Sequence, residues 1–537
     1  LTAYHPGVTT TWLGGAAIWD AYDKRSLTKV WMRTTRFFSP ELLARIRFPI
    51  AYLAGVLILL TGILMYRLLG APLAVVGTLF LAFQPFLLAE SRRVHTDALT
   101  AEFLFLTLLL WLCYLEDKFR HQRDLVFAGI CFGLACLTKS HAGVYLLFLP
   151  FMLLWYAKKR GISGAEILMS VLLFCSTTIL TVLTVWPYLW TFKLGNLPML
   201  PLLFIGCAAV LLWSWKKLST QVSFTQTELL ILGGSLLLIA AFACYAATYV
   251  FERMYGAFTN AHELPKVFLG DIRYNPGLLF YFVIGFVWSA PLTVPFTVLA
   301  TYGAWKQRFQ DKKTFRITII LVLFVLFYFL GLSFVAKKIA RYLVICLPAV
   351  SLLSAMGCIY IIKLFSNRSV RFVFLIVIVF LQIVPVMRLH PYYLAYHHPL
   401  LSGKWITENI SVGGGMGLDI AAAYLNQKPD AHNLNVHLSR FSTNLARYFV
   451  GNTWRFKKDE IPQDIHIDYE VEYIRGKQIQ GAPTDTYSKK GIPSTVLQFQ
   501  SPFQRELEHI VRLNNVDCVW IYRVLNTRTN DPPSTIQ

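Results

Sequence analysis

Four groups of ionisable residues lie at the ends of apolar stretches, where charge is costly unless it is partnered or put to use. Glu90, Ser91, Arg92, Arg93, His95 and Asp97 form the first, and Asp97 stands one residue before an apolar run that opens at Ala98. Lys139 and His141 form the second, in a turn too short for an ordinary solvated loop. The third is the stretch 251–276, which holds Glu252, Arg253, His262, Glu263, Lys266, Asp271 and Arg273. The fourth is Lys337, Lys338, Arg341 and Tyr342, with Pro348 following. Each has a plainer reading. Asp is a common helix N-cap, a lysine at an interface can snorkel, a charged loop can be a solvated surface with internal ion pairs, and clustered cations can meet lipid headgroups.

Taken together, a basic pocket beside a carboxylate suits displacement at a sugar anomeric carbon with a lipid phosphate as leaving group. Cations stabilise the departing phosphate as its charge develops, and a carboxylate takes the proton of the attacking hydroxyl or supports an oxocarbenium-like centre. On this reading Asp97 and His95 are the candidate catalytic residues. Arg92, Arg93, Lys139, His141, His262, Lys266, Arg273, Lys337, Lys338, Arg341 and Tyr342 are the candidate substrate-binding residues. No metal site can be drawn: His262 and Glu263 are adjacent and lack a third ligand at helical spacing. The sequence therefore does not require a divalent metal. Gly413 to Gly417 reads as a turn, because no apolar strand precedes it and no Lys-Ser/Thr follows.

The elements that must hold these groups are membrane spans. Of 537 residues, 56% are hydrophobic and only 15% charged, against about 25% in soluble domains. The net charge of +21 then suggests cytoplasmic loops and anionic lipid headgroups, not nucleic acid. Eight of nine cysteines lie in apolar stretches, so no disulfide framework is expected. Twelve segments approach the roughly 20 apolar residues of a span: Phe48–Met65, Ala71–Leu88, Ala98–Leu115, Leu125–Leu137, Ala142–Tyr156, Ala165–Leu189, Leu197–Trp215, Leu229–Val250, Gly277–Trp305, Ile317–Val335, Tyr342–Ile362 and Phe372–Val386. The fourth and fifth are short and could form one re-entrant element. Alternate loops carry seventeen basic residues on one side and ten on the other, which makes the seventeen-residue side cytoplasmic. All four candidate clusters then face outward. The expected division is a first extracytoplasmic loop with amphipathic helices at 1–46, a multispan domain at 47–389 and an extracytoplasmic mixed α/β domain at 390–537. In that last domain Leu418–Asn426 reads as a helix, and Leu434–Leu438, Ile465–Ile474 and Cys518–Val524 read as strands.

The order of these motifs resembles the GT-C glycosyltransferases of family 39, the protein O-mannosyltransferases and lipid A aminoarabinose transferases. Tyr4, His5, Pro6, Gly7 and Val8 to Trp12, Leu13 resemble the end of the family's first outer loop. Arg92, Arg93, His95, Asp97 and Ala98 resemble its second acidic motif, Leu137, Thr138, Lys139, Gly143 and Pro150 its Thr-Lys element, and Lys338, Arg341, Tyr342 and Pro348 its basic helix start. Tyr392, Tyr393, Pro399 to Leu401 and Ala421 to Gln427 are similar to the tail of bacterial members. The resemblance implies a GT-C-like polytopic α-helical enzyme of the bacterial inner membrane, with about twelve spans here and one more upstream. It also implies transfer of a sugar from a polyprenyl-phosphate carrier to an acceptor hydroxyl or phosphate on the outer face, with no nucleic-acid partner. Metal dependence differs among relatives. The family's principal acid, often an Asp-Glu pair, is expected upstream of the Pro motif, before Leu1, and Asp20, Asp23 and Glu41 do not match it. The alternative is a noncatalytic GT-C-like subunit that binds glycan or lipid within a larger membrane assembly. A transporter is less favoured, since transport sites gather near the midplane.

Overall fold

The computed structural model describes residues 7–19, 39–117, 121–160, 163–187, 193–194, 197–219, 265–307, 311–439, 441–455, 465–480, 501 and 503–526. The expected span Leu229–Val250, the motif residues Tyr4 to Pro6, Asp20, Asp23, Glu252, Arg253, His262 and Glu263 lie outside them. The described residues fall into two compact units, one helical and ending at Met387, the other made of 39–45, 265–280 and the chain from Arg388 onward.

The helical unit opens with α1 (Val8–Ala17) and continues through α2 (Pro40–Leu69), α3 (Ala71–Ala82), α4 (Pro85–Ser91), α5 (Asp97–Glu116), α6 (Gln122–Thr138), α7 (Tyr145–Arg160), α8 (Gly164–Val185) and α9 (Met199–Ser219). After the other unit's insertion come α10 (Phe280–Val287), α11 (Thr293–Gln307), α12 (Lys312–Phe334), α13 (Leu347–Leu364) and α14 (Arg368–Met387). Among the described residues seven helical stretches are long and apolar enough to cross a membrane, or eight if the bent pair α3–α4 counts as one. The protein is therefore a polytopic helical membrane protein.

Proline explains where helices depart from the hydropathy reading. Ala71–Leu88 bends by 62° at Pro85, which lacks the amide that would continue the ladder. Gly277–Trp305 is two helices rather than one, interrupted at 288–292 by Pro291. Leu125–Leu137 and Ala142–Tyr156 are separate helices, α6 and α7, parted by Lys139 in extended conformation (φ −156°, ψ 123°) and a 3-10 turn, Ser140–Val144.

α5 is the centre of this unit. Apolar on every face and buried along its whole length, it has the pattern of a helix surrounded by others. Beside it α6 carries Gly129 and Gly133, a small-xxx-small pair that lets backbones approach closely. A Cβ at Gly129 would lie 2.7 Å from the Thr177 Cβ of α8, and one at Gly133 would lie 2.8 Å from that of Thr181. Thr178 uses the proximity to donate to the Gly129 carbonyl at 3.2 Å. The tightest approach is between α13 and α11, where a Cβ on Gly357 would fall 1.9 Å from the Phe296 carbonyl oxygen. Gly357→Ala is accordingly expected to destabilise the helical unit by about 3 kcal/mol, read as a lowered melting temperature in detergent. An unchanged melting temperature would mean that the two helices separate freely.

The second unit contains a hairpin, β1 (Lys266–Phe268) with β2 (Asp271–Arg273), and a five-stranded sheet. The sheet strands are β3 (Asn435–Leu438), β4 (Asn452–Trp454), β5 (Tyr469–Tyr473), β6 (Gln504–Leu513) and β7 (Val516–Asn526), in the order β4-β3-β5-β7-β6. β4, β3 and β5 run parallel, and β7 is antiparallel to both β5 and β6. Short helices α15 (Gly403–Asn409), α16 (Leu418–Asn426) and α17 (Ile474–Gln478) complete the α/β unit. The expected strand Ile465–Ile474 is shorter than its alternation suggested, because the chain turns into α17 at Ile474.

Within this sheet the fully buried Glu470 accepts from His437 Nδ1 at 3.1 Å, Ser501 Oγ at 2.5 Å and Arg505 at 2.6 Å. Burial would raise its pKa, but His437, Arg505 and Ser501 outweigh burial and hold it below 4.5. A carboxyl whose folded pKa is depressed contributes stability above its unfolded value that is lost as pH falls through the folded one. The full chain is thus expected to lose melting temperature below about pH 4.5, and Glu470→Gln to flatten that decline. An identical acid limb in the variant would show that other groups govern it.

Candidate active site

Asp97 is the first residue of α5, and the arrangement around it draws on three separate segments. Thr96 occupies the N-cap position without a side-chain capping bond, so the Asp97 carboxylate is not spent on capping. Instead one oxygen, Oδ1, pairs with the Lys139 ammonium at the end of α6. The other, Oδ2, lies 2.5 Å from His95 Nδ1 and 3.4 Å from Arg341 Nε. His95 Nδ1 also accepts a hydrogen bond from the Thr96 amide at 3.0 Å.

Burial grades this cluster. The Asp97 side chain is 3% exposed, Lys139 14%, His95 25% and Arg341 34%, so the anion sits at the bottom with cations and imidazole above it. Lys139 lies 4.5 Å above the Tyr342 ring, and His141 meets the same ring at 5.8 Å. One carboxylate is outnumbered by Lys139 and Arg341, which leaves this cluster net positive. Glu90, itself buried, is close enough to act on the charge of Lys139, and it accepts from Arg93 at 2.8 Å. Arg92 and Lys337 are half-buried nearby in sequence.

Lys338 behaves differently from its neighbours. Buried, it donates to the carbonyls of Leu332, at 3.1 Å, and Ser333, closing the last turn of α12. Burial pushes its pKa down to about 8. One residue on, Tyr281 clamps Ile339 by exchanging hydrogen bonds at 3.2 Å with its carbonyl and amide, which fixes the approach to Arg341.

Lys266 and Arg273 belong to the second unit. Lys266 is buried with its ammonium 5.9 Å from the Phe280 ring, while Arg273 is exposed and paired with Asp271. His262 lies outside the described residues.

Sequence reasoning did not find the attachment of α1. Its Gly7 amide donates to Leu137 O at 3.0 Å, and Thr9 Oγ1 meets Thr138 Oγ1 at 2.7 Å, one residue before Lys139. Gly7 has φ +124°, and a Cβ there would lie 3.6 Å from Thr96, one residue before Asp97. No local pattern announces a bond between residues 129 apart.

At the other end of α5, Asp117, His121 and Asp124 bring three ligand atoms within 4.8 Å, but Arg67 already donates to both Asp124 oxygens at 2.7 Å and to Asp117 at 2.5 Å. The cation of that cluster is a guanidinium.

Residues 35–188 match the family model described as dolichyl-phosphate-mannose-protein mannosyltransferase. Over those residues the chain is similar to that family. That stretch contains the His95, Asp97 and Lys139 arrangement. Among solved structures, the oligosaccharyltransferase of Archaeoglobus fulgidus, complexed with zinc and sulfate, is 12% identical with a TM-score of 0.43, matching 94% of this chain. The chain spans only 63% of that protein's length. ArnT from Cupriavidus metallidurans is similar in the apo state (13% identity, TM-score 0.40, 96% of this chain and 87% of that one). Its form bound to undecaprenyl phosphate is 11% identical, with a TM-score of 0.39 over 97% of this chain and 88% of that one. No curated protein matches the sequence.

Proposed function

We propose that the chain transfers a sugar from a polyprenyl-phosphate carrier to an acceptor hydroxyl or phosphate, at a site facing the extracytoplasmic side of a bacterial inner membrane. The observation that carries this reading is the Asp97 carboxylate held between His95 and Lys139 with Arg341 alongside. Asp97 Oδ1 is paired with Lys139 and Oδ2 lies 2.5 Å from His95 Nδ1, so the carboxylate orients His95. The free His95 nitrogen, Nε2, then takes the proton of the attacking hydroxyl. Lys139 and Arg341 receive the carrier phosphate as the glycosidic C–O bond breaks, where preorganised cations stabilise developing charge most. Arg92, Arg93, His141, Lys337 and Tyr342 line the approach, and Lys338 supports it from behind. The ArnT structure with undecaprenyl phosphate supports the choice of carrier. The excess of basic residues in the opposite loops supports the orientation.

The test uses the full chain in nanodiscs with undecaprenyl phosphate bearing radiolabelled hexoses or pentoses, and follows release of the free carrier. Turnover with at least one sugar is expected. Neither turnover nor binding of any carrier would overturn the proposal.

A further inference from the structure

Tyr145 opens α7 four residues after His141, and Tyr328 lies on α12. Tyr145 is 0% exposed and Tyr328 5%, yet neither hydroxyl has a hydrogen-bond partner among the described residues. The two are neighbours: the Phe324 ring is 6.4 Å from that of Tyr145 and 4.9 Å from that of Tyr328, and the phenols are close enough to interact electrostatically. Phe132 and Phe148 complete the surrounding aromatic group, at 5.6 Å and 6.1 Å from Tyr145.

Packing alone does not explain two tyrosines here. Phe fills the same volume, and a buried hydroxyl without a partner costs the whole of its desolvation. Buried polar groups in native proteins are almost always paired, with protein, water or ligand. Each phenol can both donate and accept, so a pair of them matches a guest that is itself a hydroxyl. Aromatic rings around such a pair suit the apolar faces of a sugar ring. The location fits too, since Tyr145 follows directly on the segment that sets Lys139 and His141 against Tyr342.

We propose that Tyr145 and Tyr328 bind a hydroxyl of the transferred sugar next to the Lys139–Asp97 pair, and so help to decide which sugar is accepted. This inference rests on the proposed function. A site that hydrogen-bonds a substrate hydroxyl rejects analogues lacking it, because its own polar groups are then left unpaired.

Tyr145→Phe and Tyr328→Phe each remove a single oxygen atom and keep the packing. Binding is measured on the full chain with undecaprenyl phosphate alone and with undecaprenyl phosphate carrying a hexose or pentose. Wild type is expected to prefer at least one glycosylated carrier over the bare one. Each variant is expected to weaken that preferred complex roughly five- to tenfold, with the bare carrier bound as before and the melting temperature not lowered. If wild type binds bare and glycosylated carriers equally, the inference fails. It also fails if the double variant keeps the wild-type sugar preference while melting earlier, the signature of an ordered water between the phenols. Wild type binding no carrier at all would instead overturn the proposed function.

Discussion

Asp97→Asn is expected to reduce carrier turnover by about 10²- to 10³-fold, the range in which a positioned acid–base group contributes. The amide keeps the shape and a hydrogen bond to Lys139 but removes the charge that orients and supports His95. The variant also leaves the Lys139 ammonium, 14% exposed, without its carboxylate. Some loss of stability accompanies the loss of rate, and a companion variant separates them. His95→Asn leaves the Asp97–Lys139 pair intact, so it is expected to show a similar rate loss with a wild-type melting temperature. If His95→Asn retains full turnover, the base is another group. If Asp97→Asn retains it, the cluster is structural.

The second large effect concerns the opposite end of α5. Glu116, with 1% of its side chain exposed, receives both Arg316 nitrogens, at 2.8 and 2.6 Å, and the Tyr156 hydroxyl at 2.9 Å. Three helices, α5, α7 and α12, meet there. Arg316→Met strands the carboxylate in the interior, and breaking a buried pair from one side costs about 3 to 5 kcal/mol. The double variant Glu116→Leu with Arg316→Met removes the stranded charge and is expected to recover most of that loss. Thermal unfolding of the three proteins in one detergent decides it. A single variant as stable as wild type would mean that water or lipid headgroups reach Glu116.

Much of the scaffold was legible from composition and period. α16 spans Leu418–Asn426, as its pattern suggested, and most apolar segments are helices. Asp97 stands at a helix start because a polar turn gives way there to an unbroken apolar run. What the sequence hid falls into two kinds. The first is pairing across long separations, such as Thr9 with Thr138 or Glu116 with Arg316, for which neither partner carries a local signal. The second is how a cation is used. Lys337, Lys338 and Arg341 look alike in a row of residues, but Lys338 closes a helix end through backbone carbonyls while Arg341 reaches Asp97. That distinction depends on where the chain turns between α12 and α13, which charge patterning does not encode. The break at Pro291 comes from a missing amide, which hydropathy does not register because it counts composition alone.

The two carboxylates of α5 have a mechanical consequence. Asp97 and Glu116 are the first and last residues of a buried helix, and each is tied to a cation from another part of the chain. Nineteen residues of rise separate them, about 29 Å at 1.5 Å per residue, close to the thickness of a hydrocarbon core. A slide of one residue along the axis would strain both ties at once. α5 is therefore a strut whose length is gauged at both interfaces, and it cannot work as a piston. Any adjustment of the pocket during a reaction cycle must come from the parts around this fixed post, the α1 attachment and the segment before α13, while the carboxylate at its tip stays put.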